Sequence, residues 1–76
     1  PKPGAWFYLN KLRIKIHKAK IVNLSGKPGT VLDDKLTIAT KKNAIKILKL
    51  QKEGKNIVNT EDFLKGNKIN KNTKLN

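Results

Sequence analysis

The chain has 76 residues, enough for one small domain and no more. Eighteen Lys and Arg against five Asp and Glu give a net charge of +13, an imbalance that self-pairing cannot neutralise and that calls for an anionic partner. Without Cys, disulfides and thiolate metal sites are excluded, the single His cannot build a zinc site alone and has no evident partner for a Ser-His-Asp triad, and no apolar run approaches the ~18–20 residues of a membrane span.

In chain order the apolar pattern has period 2. Ala5-Trp6-Phe7-Tyr8-Leu9 reads as a β-favouring aromatic segment. Trp6 and Tyr8 fall on one face and Phe7 on the other. A domain this small needs its large side chains inside, so most of the three are expected in the core rather than stacking on bases. Asn10-Lys11 is a two-residue hairpin turn. Leu12, Ile14 and Ile16 then alternate with Arg13, Lys15 and His17 as a half-buried strand with a basic outer face.

Gly26-Lys27-Pro28-Gly29 breaks the chain, and it lacks the Lys-Ser/Thr ending of a phosphate-binding P-loop. Thr30-Val31-Leu32 reads as a short strand, Asp33-Asp34-Lys35 as a turn, and Leu36-Thr37-Ile38-Ala39-Thr40 as another strand. Lys41-Lys42-Asn43 turns into a longer strand at 44–51. Gln51 and Gly54 at its end read as structural, with close backbone approach. A short helix is expected near residues 60–65, with Thr60 as its cap, Glu61 and Asp62 at its positive end, and Gly66 just past its end. Residues 68–75 are either a last edge strand with an Asn-centred turn or a frayed tail.

All five acids, Asp33, Asp34, Glu53, Glu61 and Asp62, fall at turns, a strand end or the helix start. The strand faces are left with positive charge alone, whereas a surface built for solubility mixes its signs. Seventeen of the eighteen basic residues are Lys, which favours point-charge contact with phosphate over bidentate readout of bases. Lys, Asn and Ile also share AT-rich codons, so compositional bias is a second source of the Lys count. His17, among Arg13, Lys15 and Lys18, reads as a surface histidine without a catalytic partner. The only helix is short and starts acidic, which argues against a membrane-surface role.

Four segments, in order, carry a more specific signal: Pro3-Gly4-Ala5-Trp6, Pro28-Gly29-Thr30-Val31-Leu32, Leu50-Gln51-Lys52-Glu53-Gly54-Lys55 and Asp62-Phe63-Leu64-Lys65-Gly66. Together they resemble the C-terminal domain of methionyl-tRNA formyltransferases over almost the whole chain. Lys41-Lys42-Asn43 stands where that family often has Gly-rich turns. Asn72 stands where it has Gly, and Asn is the best non-Gly substitute at a left-handed position.

The resemblance implies an all-β, OB-fold-like antiparallel barrel of five to six strands with one short helix, spanning 1–76 as a single domain of a longer enzyme. It also implies binding of initiator Met-tRNA, a catalytic N-terminal formyltransferase domain as partner, and 10-formyltetrahydrofolate as cofactor of that other domain. No cofactor, metal or catalytic residue is expected in this segment. It is expected to be monomeric, cytoplasmic and free of membranes. Arg13, Lys15, Lys41, Lys42, Lys46, Lys49 and Lys55 are the residues expected to meet the phosphate backbone. The alternatives are a free-standing, ribosome-associated OB-like RNA binder, or the C-terminal domain of a sugar or folate formyltransferase.

Overall fold

The computed structural model describes residues 5–75, so Pro3 and Gly4 of the first segment lie outside the described residues. Five strands and one helix follow in order: β1 Trp6–Leu9, β2 Leu12–Val22, β3 Thr37–Ala39, β4 Ala44–Lys52, β5 Ile57–Asn59 and α1 Thr60–Gly66. All pairings are antiparallel, in the order β1-β2-β4-β3, with β5 also on β4. The sheet curls into a half-barrel of the small OB-like all-β kind.

The hairpin between β1 and β2 turns at Asn10 and Lys11, whose φ angles of 49° and 70° are both positive. That is the backbone of a type I′ turn, which matches the strands' right-handed twist. β2 runs five residues beyond the alternation that predicts it. His17 and Lys18 are two exposed polar residues in succession, and the β2–β4 register slips between Ile16 and Ala19. A bulge absorbs the break, after which Ala19 packs against the core again.

β4 is the spine. It pairs with β2 along one edge, while β3 takes 44–46 and β5 takes 49–51 of the other. β5 has no clear signal in the sequence, because Ile57 and Asn59 are exposed and only Val58 packs inward. The core is a single cluster that includes Phe7, Ile14, Ile16, Val31, Leu36, Ile38, Ile47, Leu50 and Phe63.

Several expectations are corrected. Phe7 is buried, but Trp6 and Tyr8 are 46% and 43% exposed, because among the described residues no strand or helix packs over the face opposite Phe7 on β1. Thr30-Val31-Leu32 forms two isolated bridges, Thr30 to Lys74 and Val31 to Ile38, rather than a strand. Thr60 is not the helix cap. Asn59 holds that position, and the Thr60 hydroxyl is buried with no partner. Gly66 lies inside the helix, and the side chain of Asn67 closes its end by donating to the Phe63 carbonyl at 3.1 Å.

The 68–75 segment is neither a strand nor a frayed tail. Its turn is made by Asn72 at φ 75°, as the Asn-for-Gly substitution anticipates. The backbone then lies against 29–31: Val31 N–H donates to the Thr73 carbonyl at 2.8 Å, Asn72 N–H to Val31 at 2.7 Å, and Leu75 N–H to Gly29 at 2.8 Å. Gly29 sits at φ 84°, and a Cβ there would lie 3.3 Å from the Leu75 carbonyl oxygen, so Gly is needed on both counts.

The 33–35 turn has its own lock. Asp33 accepts from the Lys35 amide at 2.9 Å, the Thr37 amide at 3.1 Å and the Thr37 hydroxyl at 2.7 Å. Partial burial pushes its carboxyl up, but the Thr37 hydroxyl, the two amides and the charge of Lys46 outweigh it, and the net effect is a pKa below the ordinary 3.8. A group of lowered folded pKa contributes stability that is full above its unfolded value and lost as pH falls through the folded one. Asp33→Asn should therefore cost about 1 kcal/mol at pH 7, and chemical denaturation should show that gap narrowing as pH drops below 3.8. A constant gap from pH 7 to pH 2 would assign the cost to shape, not charge.

Candidate nucleic-acid interface

The seven predicted contact residues do not form one patch. Arg13, Lys15 and Lys49 point to the outer face of the sheet, away from the core side defined by Ile14, Ile16 and Leu50. Register sets their neighbours. Lys15 lies between Trp6 on β1 and Gln51 on β4, Arg13 lies opposite Tyr8, and Lys49 lies opposite Lys18. The Arg13 guanidinium stacks on the Trp6 ring, 3.7 Å from its centroid.

The backbone of Lys55, exposed in the turn after β4, is tied to this face through Gln51. Gln51 Nε2 donates to the Lys55 carbonyl at 2.9 Å, and its Oε1 is 2.8 Å from His17 Nε2. The first bond orients the amide, so Oε1 faces His17 Nε2 as the acceptor of its N–H. Gln51 thereby ties the bulge of β2 to the turn after β4, where Gly54 stands at φ 79°. This is the structural role that its position at the strand end suggests. His17 is an exposed side chain, and Gln51 is its one polar partner among the described residues.

Lys41 and Lys42 are exposed at the β3–β4 turn, at the opposite end of β4 from Lys55. Thr40 Oγ1 shapes that turn by accepting from the Asn43 amide at 3.1 Å and the Lys42 amide at 3.4 Å. They form a second basic tip rather than part of the central face.

Lys46 does not fit the expected set. It is half-buried beside Asp33, whose carboxyl its charge helps to keep ionised. It also lines a groove of about 620 Å³ with Asp34, Lys35, Glu61, Asp62 and Lys65. This groove opens where β4 is left without a strand partner, between the ends of β3 and β5. Three lysines and three acids balance there, so the groove offers no net attraction to phosphate. Glu53 likewise shares a shallow depression with Arg13 and Lys15. The expectation that these residues lack acidic neighbours therefore fails for Lys46, Arg13 and Lys15. It fails because acids at the 33–35 turn, the turn after β4 and the start of α1 come to lie beside strands that those segments do not adjoin in the chain.

Lys18 and Lys20 belong to the face and are missed by the sequence, since the alternation stops at His17. The continuing pattern of Ala19 and Ile21 is the signal that could have found them. With them the register becomes informative: Lys18 lies opposite Lys49 and Lys20 opposite Lys46. Like charges directly across a strand pair repel, and none of the five strands contains an acid. Among the described residues the one ion pair is Lys65–Asp62 at 3.5 Å, away on the helix.

The model of the family described as "Formyl transferase, C-terminal domain" matches residues 1–68. The chain belongs to that family. Its similarity to individual members is close. It is 47% identical over 75 residues to a methionyl-tRNA formyltransferase of Paramagnetospirillum magneticum (strain AMB-1), covering 99% of this chain and 25% of that protein. It is 46% identical over 70 residues to the one from Rhodopseudomonas palustris (strain BisB18), covering 87% of the chain and 23% of that protein. A third, from Bradyrhizobium diazoefficiens, is 47% identical over 70 residues, with 87% and 22% covered. The chain thus spans about a quarter of the length of the curated relatives it matches. The resemblance carried by the four segments is borne out, and the formyl transferase C-terminal domain reaches from the β1 hairpin through the helix.

Proposed function

We propose that this chain is the tRNA-binding part of a methionyl-tRNA formyltransferase. Its basic outer face holds the phosphate backbone of initiator Met-tRNA. A separate catalytic domain of the same enzyme transfers the formyl group from 10-formyltetrahydrofolate to the methionyl amine in the cytoplasm. The observation that carries this reading is the pair of exposed, opposed lysines on β2 and β4, Lys18 across from Lys49. Self-repulsion on that scale costs stability in the free domain and is relieved by an anion lying over the face. The names of the relatives, each a methionyl-tRNA formyltransferase, support tRNA as that anion. On this reading the segment contributes binding, and its activity is that of the enzyme it belongs to.

The test is a salt titration of Met-tRNA binding. About five phosphate contacts give a slope of roughly −3 to −5 for log K against log salt, and a Kd of about 10⁻⁴–10⁻⁶ M at physiological salt. Lys41→Ala with Lys42→Ala should weaken every tRNA by a similar factor and flatten the slope by up to about two units. Lys68, Lys71 and Lys74 are exposed on the last segment, and the corresponding triple variant should change less than the loop pair. Salt-independent binding, or a larger loss in the triple variant, would overturn this assignment.

A further inference from the structure

A face that only met phosphates would have no use for large aromatic rings, yet Trp6 and Tyr8 stand on it at 46% and 43% exposure. They are alternate residues of β1, about 7 Å apart along the strand, and their rings share the side that carries Arg13 and Lys15. The Arg13 guanidinium already lies flat on the indole, 3.7 Å from its centroid. Two aromatic planes and one guanidinium plane are therefore grouped at the β1–β2 edge of the basic face, with Lys15, Lys18 and Lys49 leading away across the sheet.

We propose that Trp6, Tyr8 and Arg13 form a stacking platform for unpaired nucleotides, so that the domain prefers single-stranded RNA to duplex. This rests on the reading of the basic face as an RNA-binding surface and specifies what part of an RNA it takes. In a duplex the base planes are covered by one another, and the A-form grooves hide the base edges that a side chain could read. Only an unstacked base can lie on an indole, a phenol or a guanidinium. A protein partner of acidic character would pair with the lysines but would leave the stacked planes without a counterpart. The platform is tolerant of base identity. The amide of Gln51, across from Lys15 on this face, is occupied at both ends by His17 and the Lys55 carbonyl, and every base offers a π-face.

The chain contains one Trp, so its intrinsic fluorescence reports this platform directly. The 76-residue chain is titrated with a ten-nucleotide single-stranded RNA and with a blunt RNA duplex, and anisotropy of the end-labelled RNA gives a second readout. The single strand should quench Trp6 and bind more tightly than the duplex, which binds without quenching. Trp6→Leu should weaken single-strand binding by about 5- to 50-fold and leave duplex binding within about twofold. Tyr8→Leu keeps the fluorophore and should give a loss of the same kind, and Arg13→Lys keeps the charge while removing the plane. Circular dichroism checks that each variant folds, and the quenching in the parent chain decides the matter if Trp6→Leu does not. Equal quenching by both RNAs, or single-strand affinity unchanged in both Leu variants, overturns the platform while leaving the basic face intact. Failure of either RNA to bind overturns the RNA-binding reading beneath it.

Discussion

Changing Lys15, Lys18, Lys49 and Lys55 together to Gln should weaken Met-tRNA binding by about a hundredfold to a thousandfold at physiological salt and flatten the salt slope by about three to four units. The four residues are exposed; strand register puts Lys15, Lys18 and Lys49 on the outer face, and Lys55 stands in the turn after β4, whose backbone the Gln51 amide holds. Each phosphate contact removed takes about 0.9 from the slope, and the affinity lost grows as salt is lowered. Stability should move the other way. Removing both members of the Lys18–Lys49 pair relieves a like-charge contact across the sheet, so the melting temperature should hold or rise while binding collapses. That opposition separates a lost interface from a misfolded domain. In a full-length enzyme carrying the same changes, KM for the tRNA should rise far more than kcat falls, since backbone contacts help the ground and transition states alike. An unchanged slope would assign the lysines to composition rather than function, and a fall in kcat alone would place the defect in the chemistry.

Sequence alone carries the strongly periodic and the strongly punctuated parts of this molecule. The Asn10–Lys11 turn, the long β4 strand and the left-handed Asn72 are each written by local stereochemistry, and each is found where expected. What escapes is decided by contacts distant in sequence. A bulge at His17 and Lys18 hides the second half of β2, because two polar residues in a row imitate a strand end. β5 survives on pairing with Gln51, Leu50 and Lys49 rather than on its own apolar pattern. The aromatic segment is misread because size alone says that a ring should be buried, while only the assembled sheet reveals that, among the described residues, no strand or helix covers the face opposite Phe7. Lys46 is misread for a related reason. Its acidic neighbours come from the 33–35 turn and the first turn of α1, elements that fold beside β4 from either side in the chain. The candidate interface was thus legible in its charge and its strands, but not in its membership.

Deleting residues 69–76 should unfold the domain. A frayed tail would be dispensable, and the family match itself ends at residue 68. The core does not end there. Ile69 and Leu75 are buried members of the same cluster as Leu50 and Phe63, and three backbone hydrogen bonds fix 72–75 against 29–31. Losing two buried aliphatic side chains costs about 2–5 kcal/mol each. At about 0.05–0.15 kcal/mol per residue, a chain of 76 residues has a total stability of only about 4–11 kcal/mol. The deletion therefore removes most or all of the margin, and it also strips partners from the Val31 amide and carbonyl at the centre of the cluster. Leu75→Ala, which keeps the backbone pairing, should cost about 2–3 kcal/mol and lower the melting temperature by about 10–20 °C in a domain of this size. Leu24→Ala, at a site half exposed to solvent, should stay within about 0.5 kcal/mol of the parent. Thermal and urea unfolding of the three variants checks the order. A deletion variant that melts like the parent would return the segment to the status of a tail and break the link between Asn72, Gly29 and the closing of the core.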